Sequence, residues 1–195
     1  MRRDRSDAVR EMAAWALSGA RDNEEGVVSA LSEALRRDDN IRVRHTAAWA
    51  LGTLGNASAA DALTDALRDD NADLREVAAW SLGQLGLDKA PRELTAALRD
   101  KEPKVRRAVA WALFNIEDET AVSDLETAMD RETDKSVRVA YIRALATMGE
   151  RSARALARLL DSKDSDVREI VVTSLAGGHA AGPWPWPWPM PRPFP

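Results

Sequence analysis

A Val/Leu-Arg pair recurs six times along this chain, as Val9-Arg10, Val43-Arg44, Leu74-Arg75, Val105-Arg106, Val137-Arg138 and Val167-Arg168, at intervals of 34, 31, 31, 32 and 30 residues. A period in that range marks stacked copies of one supersecondary unit, none of which can bury its apolar face alone. Eight positions after each pair stands a leucine: Leu17, Leu51, Leu82, Leu113, Leu145 and Leu175. Eight residues at about 100° each bring a helix round to within about 80° of its start, so pair and leucine share one helical face. Between these anchored helices lie segments such as SAADALTDALRDD and KAPRELTAALRD, with apolar residues at helical spacing and Asp-rich turns. Each repeat therefore reads as a helix pair, and the chain as all-α.

The repeated pattern VRxxAAWALGxLG is best seen in VRHTAAWALGTLG from Val43 to Gly55 and in LREVAAWSLGQLG from Leu74 to Gly86. It resembles the HEAT-like repeats of the phycobilin-lyase type over roughly residues 4 to 177. The resemblance implies a right-handed α-solenoid of about five to six helix pairs, with the VRxxAAW helix of each pair lining the concave side. It also implies a structural ladder in which Arg10, Arg44, Arg75, Arg106, Arg138 and Arg168 pair with turn carboxylates such as Asp38, Asp69, Asp100 and Asp161. Lyase chemistry does not follow, since a fold does not assign a function. Related HEAT-like iron hydroxylases carry repeated His-Glu pairs, which this chain lacks; His45 and His179 fall on a helix and in a Gly/Ala linker. No catalytic residue, metal site or cofactor is expected.

All seven tryptophans fall into two series, a ladder at Trp15, Trp49, Trp80 and Trp111 and a second group at Trp184, Trp186 and Trp188. On the anchored helix the core arc holds the anchor and the residues four, seven, eight and eleven places later. The ladder tryptophan follows its anchor by six, at about 240° round the helix, and so is expected to point away from the core. Beside the four rings, four places earlier, stand Glu11, His45, Glu76 and Arg107. One reading has each ring packing over a small neighbour to tighten the stack. The favoured one is a groove floored by indoles, because four rings on one face would form an apolar stripe of the kind that marks an interaction surface. Arg143 and Thr173 replace tryptophan in the fifth and sixth repeats, which would confine the groove to the first four.

Beyond residue 177 the composition changes. Residues 178–182 read as a flexible Gly/Ala linker, and 183–195 as an extended, polyproline II-like docking segment, PWPWPWPMPRPFP. Proline at every odd position restricts the intervening residues to extended geometry and lowers the entropy lost on binding. Pro183, Trp184, Pro185, Trp186, Pro187, Trp188, Pro189, Met190 and Phe194 form the expected ligand, suited to an aromatic-lined groove. In ideal polyproline II the three tryptophans project in three directions, so a deep groove or a seam between molecules fits them better than a flat surface.

A formal charge of -4, from 28 basic and 32 acidic residues, offers no net attraction for nucleic acid or an anionic membrane. The absence of cysteine excludes disulfides and thiolate chemistry, and no run of about 18 apolar residues occurs. The chain as given reads as soluble, either cytoplasmic or exported with its signal removed. The expected function is a non-enzymatic binding and self-assembly module, with the tail of one copy docked in the groove of the next to give a head-to-tail oligomer or filament. Two alternatives are a monomeric scaffold for a proline-rich partner segment with the tail folded back in cis, and a HEAT-like nucleic-acid enzyme, which the mixed charges of the groove disfavour.

Overall fold

The computed structural model describes residues 6–20 and 24–176. The linker and the Trp/Pro segment lie outside the described residues. Among those described, every regular element is helical, and the chain divides into two compact units, one running to Leu87 and the other starting at Asp88.

The first unit holds α1 (Asp7–Leu17), α2 (Glu24–Arg37), α3 (Ile41–Leu54), α4 (Ala60–Ala66) and α5 (Ala72–Gln84). The second holds α6 (Arg92–Ala96), α7 (Pro103–Ile116), α8 (Val122–Met129), α9 (Lys135–Thr147), α10 (Gly149–Leu160) and α11 (Ser165–Leu175). Odd-numbered helices are the anchored ones. The even-numbered partners α4, α6 and α8 are short, each with one turn of 3-10 helix next to it, because their apolar run spans barely two turns.

Caps chosen by the sequence start the anchored helices. The Asn40 side chain accepts from the Arg42 amide, Asn71 from Asp73 and Leu74, Asp134 from Ser136 and Val137, and Asp164 from Asp166. These bonds satisfy amides that lack an intrahelical partner. Pro103 opens α7 at a position where no amide is needed.

The anchors Val43, Leu74, Val105, Val137 and Val167 and the leucines Leu51, Leu82, Leu113 and Leu145 are all buried, as the helical arithmetic requires. Within the first unit α3 packs against α1, α2 and α5, and within the second α9 packs against α7, α8, α10 and α11. A helix walled on several sides buries more than one stripe. Positions three and five after the anchor, such as Thr46, Ala48, Val77 and Ala79, are therefore buried too.

This wide buried arc corrects the expected tryptophan ladder. Trp80 and Trp111 are only 6% exposed, Trp49 is half-buried, and Trp15 alone stands clear at 42%. A helical wheel with one apolar stripe places the sixth residue in solvent; in a stack that residue reaches the flank of the helix, where a neighbour can cover it.

In the first unit α3 and α5 approach closely at Gly52. The Ser81 hydroxyl donates to the Ala48 carbonyl at 2.8 Å, and a Cβ on Gly52 would lie 2.6 Å from Ser81 Oγ and 2.8 Å from its Cα. Because the second contact is with backbone, no rotamer relieves it. Gly52→Ala gains about 1 kcal/mol of helix propensity but forces the helices apart. The variant is expected to lose about 1–2 kcal/mol net, read as a lower urea midpoint. A midpoint at or above that of the parent would show that the contact yields freely.

Three anchored-helix ends and α-helix starts use a left-handed glycine, Gly55 (φ 67°), Gly86 (φ 62°) and Gly149 (φ 62°). The same register position after α7 is Glu117, at φ 54°. A side chain there costs roughly 1 kcal/mol, partly offset by the extra freedom that glycine has when unfolded. Glu117→Gly should thus raise stability by about 0.5–1 kcal/mol in the same denaturation experiment, and a fall would mean that the Glu117 side chain stabilises the turn.

Candidate partner-binding face

The arginine after each anchor is the first functional-looking residue to find its place, and its role is structural. Arg10 grips Asp38 with two bonds, Nε to Oδ2 at 2.7 Å and Nη2 to Oδ1 at 2.9 Å. Arg44 reaches Asp69 at 2.5 Å, Arg106 grips both oxygens of Glu132 at 2.6 and 2.8 Å, and Arg138 meets Asp164 at 2.8 Å. Each pair joins one anchored helix to the turn before the next. Arginines also close their own turns: Arg75 donates to the carbonyls of Asp69 and Asp70, Arg106 to those of Asp100 and Lys101, and Arg168 to that of Ser162.

Asp38 and Asp69 are thus the expected partners. Asp161 is not: the register position there is Ser162, Asp161 is exposed, and Arg138 pairs instead with the N-cap Asp164. Glu132, not among the expected carboxylates, takes the equivalent place before α9; its position, 32 residues after Asp100, was the signal in the sequence.

The carboxylates have a second task. Asp38, Asp69, Asp100 and Glu132 each accept from the amide two residues on, at Asn40, Asn71, Glu102 and Asp134. Burial would push the Glu132 carboxyl up, but the Arg106 fork and the Asp134 and Thr133 amides overcome this and hold it below the usual glutamate range. Asp134 is held low first by the Ser136 hydroxyl and then by the amides it caps. Asp118, which ties the Ala90 amide to its own turn at 3.0 Å, is likewise depressed: the Thr120 hydroxyl and the amides outweigh the burial that would raise it.

Each unit has a depression on its anchored-helix face, and that of the first includes the expected groove residues Glu11 and His45. In the first, a depression of about 330 Å³ is lined by Glu11, Ile41, Arg42, His45, Asn71 and Asp73, with Thr46 beneath. In the second, one of about 280 Å³ is lined by Lys135, Val139, Arg143, Asp166, Glu169 and Thr173 among others. Both occupy the same register, one place before and two places after the anchors. Two of the expected groove neighbours, Glu11 and His45, are therefore brought together. Glu76 is half-buried on α5 of the first unit, and Arg107 belongs to the second, where it donates to Ser136 at 3.4 Å. Of the four indoles only Trp15 and Trp49, one turn beyond Glu11 and His45, offer appreciable surface.

The sequence reading did not single out Arg42, Asn71 or Asp73, nor Lys135 and Asp166 in the second unit. Oppositely charged residues 31 apart were the signal: Arg42 meets Glu11 at 3.1 Å and Lys135 meets Asp166 at 2.6 Å, each across adjacent anchored helices. Such exposed pairs add little stability. They set the charge pattern that a partner would meet.

Helix pairs in register, joined turn to helix by an arginine ladder, define an α-solenoid repeat protein. The HEAT-repeat family model matches residues 1–83 and 66–140, and the chain belongs to that family. Among solved structures, the chain is similar to the complex of CpcE and CpcF of phycocyanin lyase from Nostoc sp. PCC7120, at 26% identity and a TM-score of 0.67, covering 92% of this chain and 75% of that one. It is similar in fold to an engineered protein at 18% identity and TM-score 0.58, covering 91% of this chain and 94% of that one. A designed armadillo repeat protein matches at 17% identity and TM-score 0.57, over 89% of this chain and 95% of that one. No curated protein matches the sequence. The HEAT-repeat architecture is that of a protein-interaction scaffold.

The ladder carboxylates predict the acid behaviour. Because Glu132 titrates lower folded than unfolded, its contribution is complete above its ordinary value of 4.5 and is lost as pH falls through the folded value. Glu132→Gln should destabilise the protein at neutral pH by about 1.5–3 kcal/mol, the scale of a hydrogen bond to a charged group, and flatten the acid limb of a stability-versus-pH curve. Parallel curves for parent and variant would show that Glu132 does not carry the linkage.

Proposed function

We propose that this chain is a non-enzymatic protein-binding module whose anchored-helix face receives an extended, proline-rich strand, and that its own Trp/Pro segment is such a strand, docking on a neighbouring copy to build a head-to-tail oligomer. The observation that carries the reading is the coexistence, on one polypeptide, of two tryptophans with open surface on the anchored helices, Trp15 and Trp49, and a PWPWPWP ligand sequence. Indole and proline faces stack, and a preformed extended strand loses little entropy on docking.

A second observation supports assembly. Val172 and Leu175 on α11 are 56% and 52% exposed, whereas their register equivalents Ala48, Ala79 and Ala110, and Leu51, Leu82 and Leu113, are wholly buried. Val9 and Met12 on α1 are each 47% exposed, although every later anchor is buried. The outermost described helices thus present the kind of surface that a further repeat covers inside the stack. Phycocyanin lyase, named for the similar CpcE–CpcF complex, is an enzyme; the reading for this chain rests on its own residues and not on that name.

The test is sedimentation of the full chain beside two full-length variants, Trp15→Ala/Trp49→Ala and Trp184→Ala/Trp186→Ala/Trp188→Ala. The parent is expected to sediment as an oligomer at high concentration and both variants as folded monomers. A parent that stays monomeric at all concentrations would end the assembly reading.

A further inference from the structure

An anchored helix has two flanks, one toward the anchored helix before it and one toward the next. The junction of α3 with α5 shows which residues form each. Ala48 and Gly52, five and nine places after the anchor of α3, meet Ser81, seven places after the anchor of α5. The arginine one place after the anchor reaches across in the same direction, since Arg10, Arg44 and Arg106 each grip a carboxylate five places before the next anchor. A junction is therefore built from a forward flank, with the arginine and the fifth residue, and a backward flank, with the carboxylate and the seventh residue.

The first and last described helices each bury one flank and expose the other. On α1 the fifth residue, Ala14, is wholly buried, whereas Val9, Met12 and Ala16 are exposed. The equivalents of those three on α3, Val43, Thr46 and Ala50, are all buried, so the open flank of α1 is the backward one. On α11 the anchor Val167 is buried, whereas Arg168, Val172 and Leu175 are exposed, so its open flank is the forward one. The two are opposite halves of one junction. Charge completes the match: Arg168 donates to the Ser162 carbonyl of its own turn and meets no carboxylate among the described residues. Five places before the first anchor the sequence has Asp4, which lies outside the described residues and holds the place of Asp38, Asp69 and Glu132. Ile142, at the fifth place of α9, is fully buried, so the interior of the stack accommodates a branched side chain where α11 has Val172.

We infer that the open flank of α11 docks on the open flank of α1 in a second copy of this chain, with Val172 and Leu175 covered by the second copy's Val9 and Met12 and Arg168 paired with the second copy's Asp4. The contact repeats between copies the junction that the chain makes within itself, and it removes from water the apolar flanks that a polar capping repeat would otherwise cover. The inference rests on the assembly reading and adds a second contact surface, distinct from the docked segment, with an ion pair that fixes its direction.

The experiment follows sedimentation of the full chain over a range of concentrations, beside full-length Arg168→Glu, Asp4→Arg and Val172→Glu, and beside an equal mixture of the first two. Each variant alone should need about tenfold more protein, or above, to assemble, because like charges or an unpaired carboxylate then meet across the contact. In the mixture each variant offers the charge that the other lacks, so assembly should return to near the parent's concentration. Mixing would not cure a folding fault, and Val172 is exposed, so its replacement leaves the helix intact. Variants that assemble as readily as the parent overturn the end contact and leave the docking reading standing, and a mixture as weak as its components does the same. A parent that never assembles overturns the docking reading, and the end contact with it.

Discussion

Everything in this structure hangs from the bond between an arginine on one anchored helix and a carboxylate in the next turn. A turn between two helices is where backbone groups lack partners, and here one guanidinium and one carboxylate supply most of them. Arg106 shows the whole device: one edge of its fork meets Glu132 of the next repeat, and Nη1 holds the Asp100 and Lys101 carbonyls of its own. Glu132 in turn accepts the Asp134 amide. Side-chain exposures of 15% and 3% mean that solvent screens the pair poorly, and loss of one partner would leave the other buried and unsatisfied. The repeat interface is thus fixed by charge and direction as well as by apolar contact. Small residues such as Gly52 and Ser81 can then bring helices close without having to set their register.

The period, the helix pairs and the core positions were legible in the sequence because each is a local rule applied repeatedly. Leu51 and Leu82 had to be buried once the helix was assigned, and the arginine after each anchor recurred too regularly to be a surface accident. What the sequence hid depends on neighbours. Trp80 and Trp111 carry the same residue at the same register as Trp15, yet their exposure differs sevenfold, from 6% to 42%, a difference that residue type and register alone do not encode. The left-handed turn at Glu117 was hidden for another reason: the residue type denies the conformation that the register imposes. The shift of Arg138 from position 162 to Asp164 follows from a serine where a carboxylate was needed.

Burial of two indoles also relocates the candidate site. A continuous aromatic floor over four repeats would recognise any extended apolar strand and select little. The depression seen in the first unit is instead bounded by an ion pair, an amide, an imidazole and a carboxylate, and its specificity would come from hydrogen-bond direction as much as from stacking.

A division of labour among register positions follows from this. The anchor, the arginine after it and the leucine eight places on are nearly constant from repeat to repeat, since each must fit the same neighbour. Two places after the anchor the chain has Glu11, His45, Glu76, Arg107, Val139 and Glu169, and six places after it four tryptophans, then Arg143 and Thr173. Residues that hold the stack cannot vary without breaking it, whereas those on the concave face are constrained only by what they meet. Two depressions of similar size in the same register, one lined by Arg42, His45 and Asn71 and the other with mixed charge around Arg143, are the structural result. One scaffold thereby presents two chemically different surfaces, because the bonds that build the solenoid leave that face free to diverge.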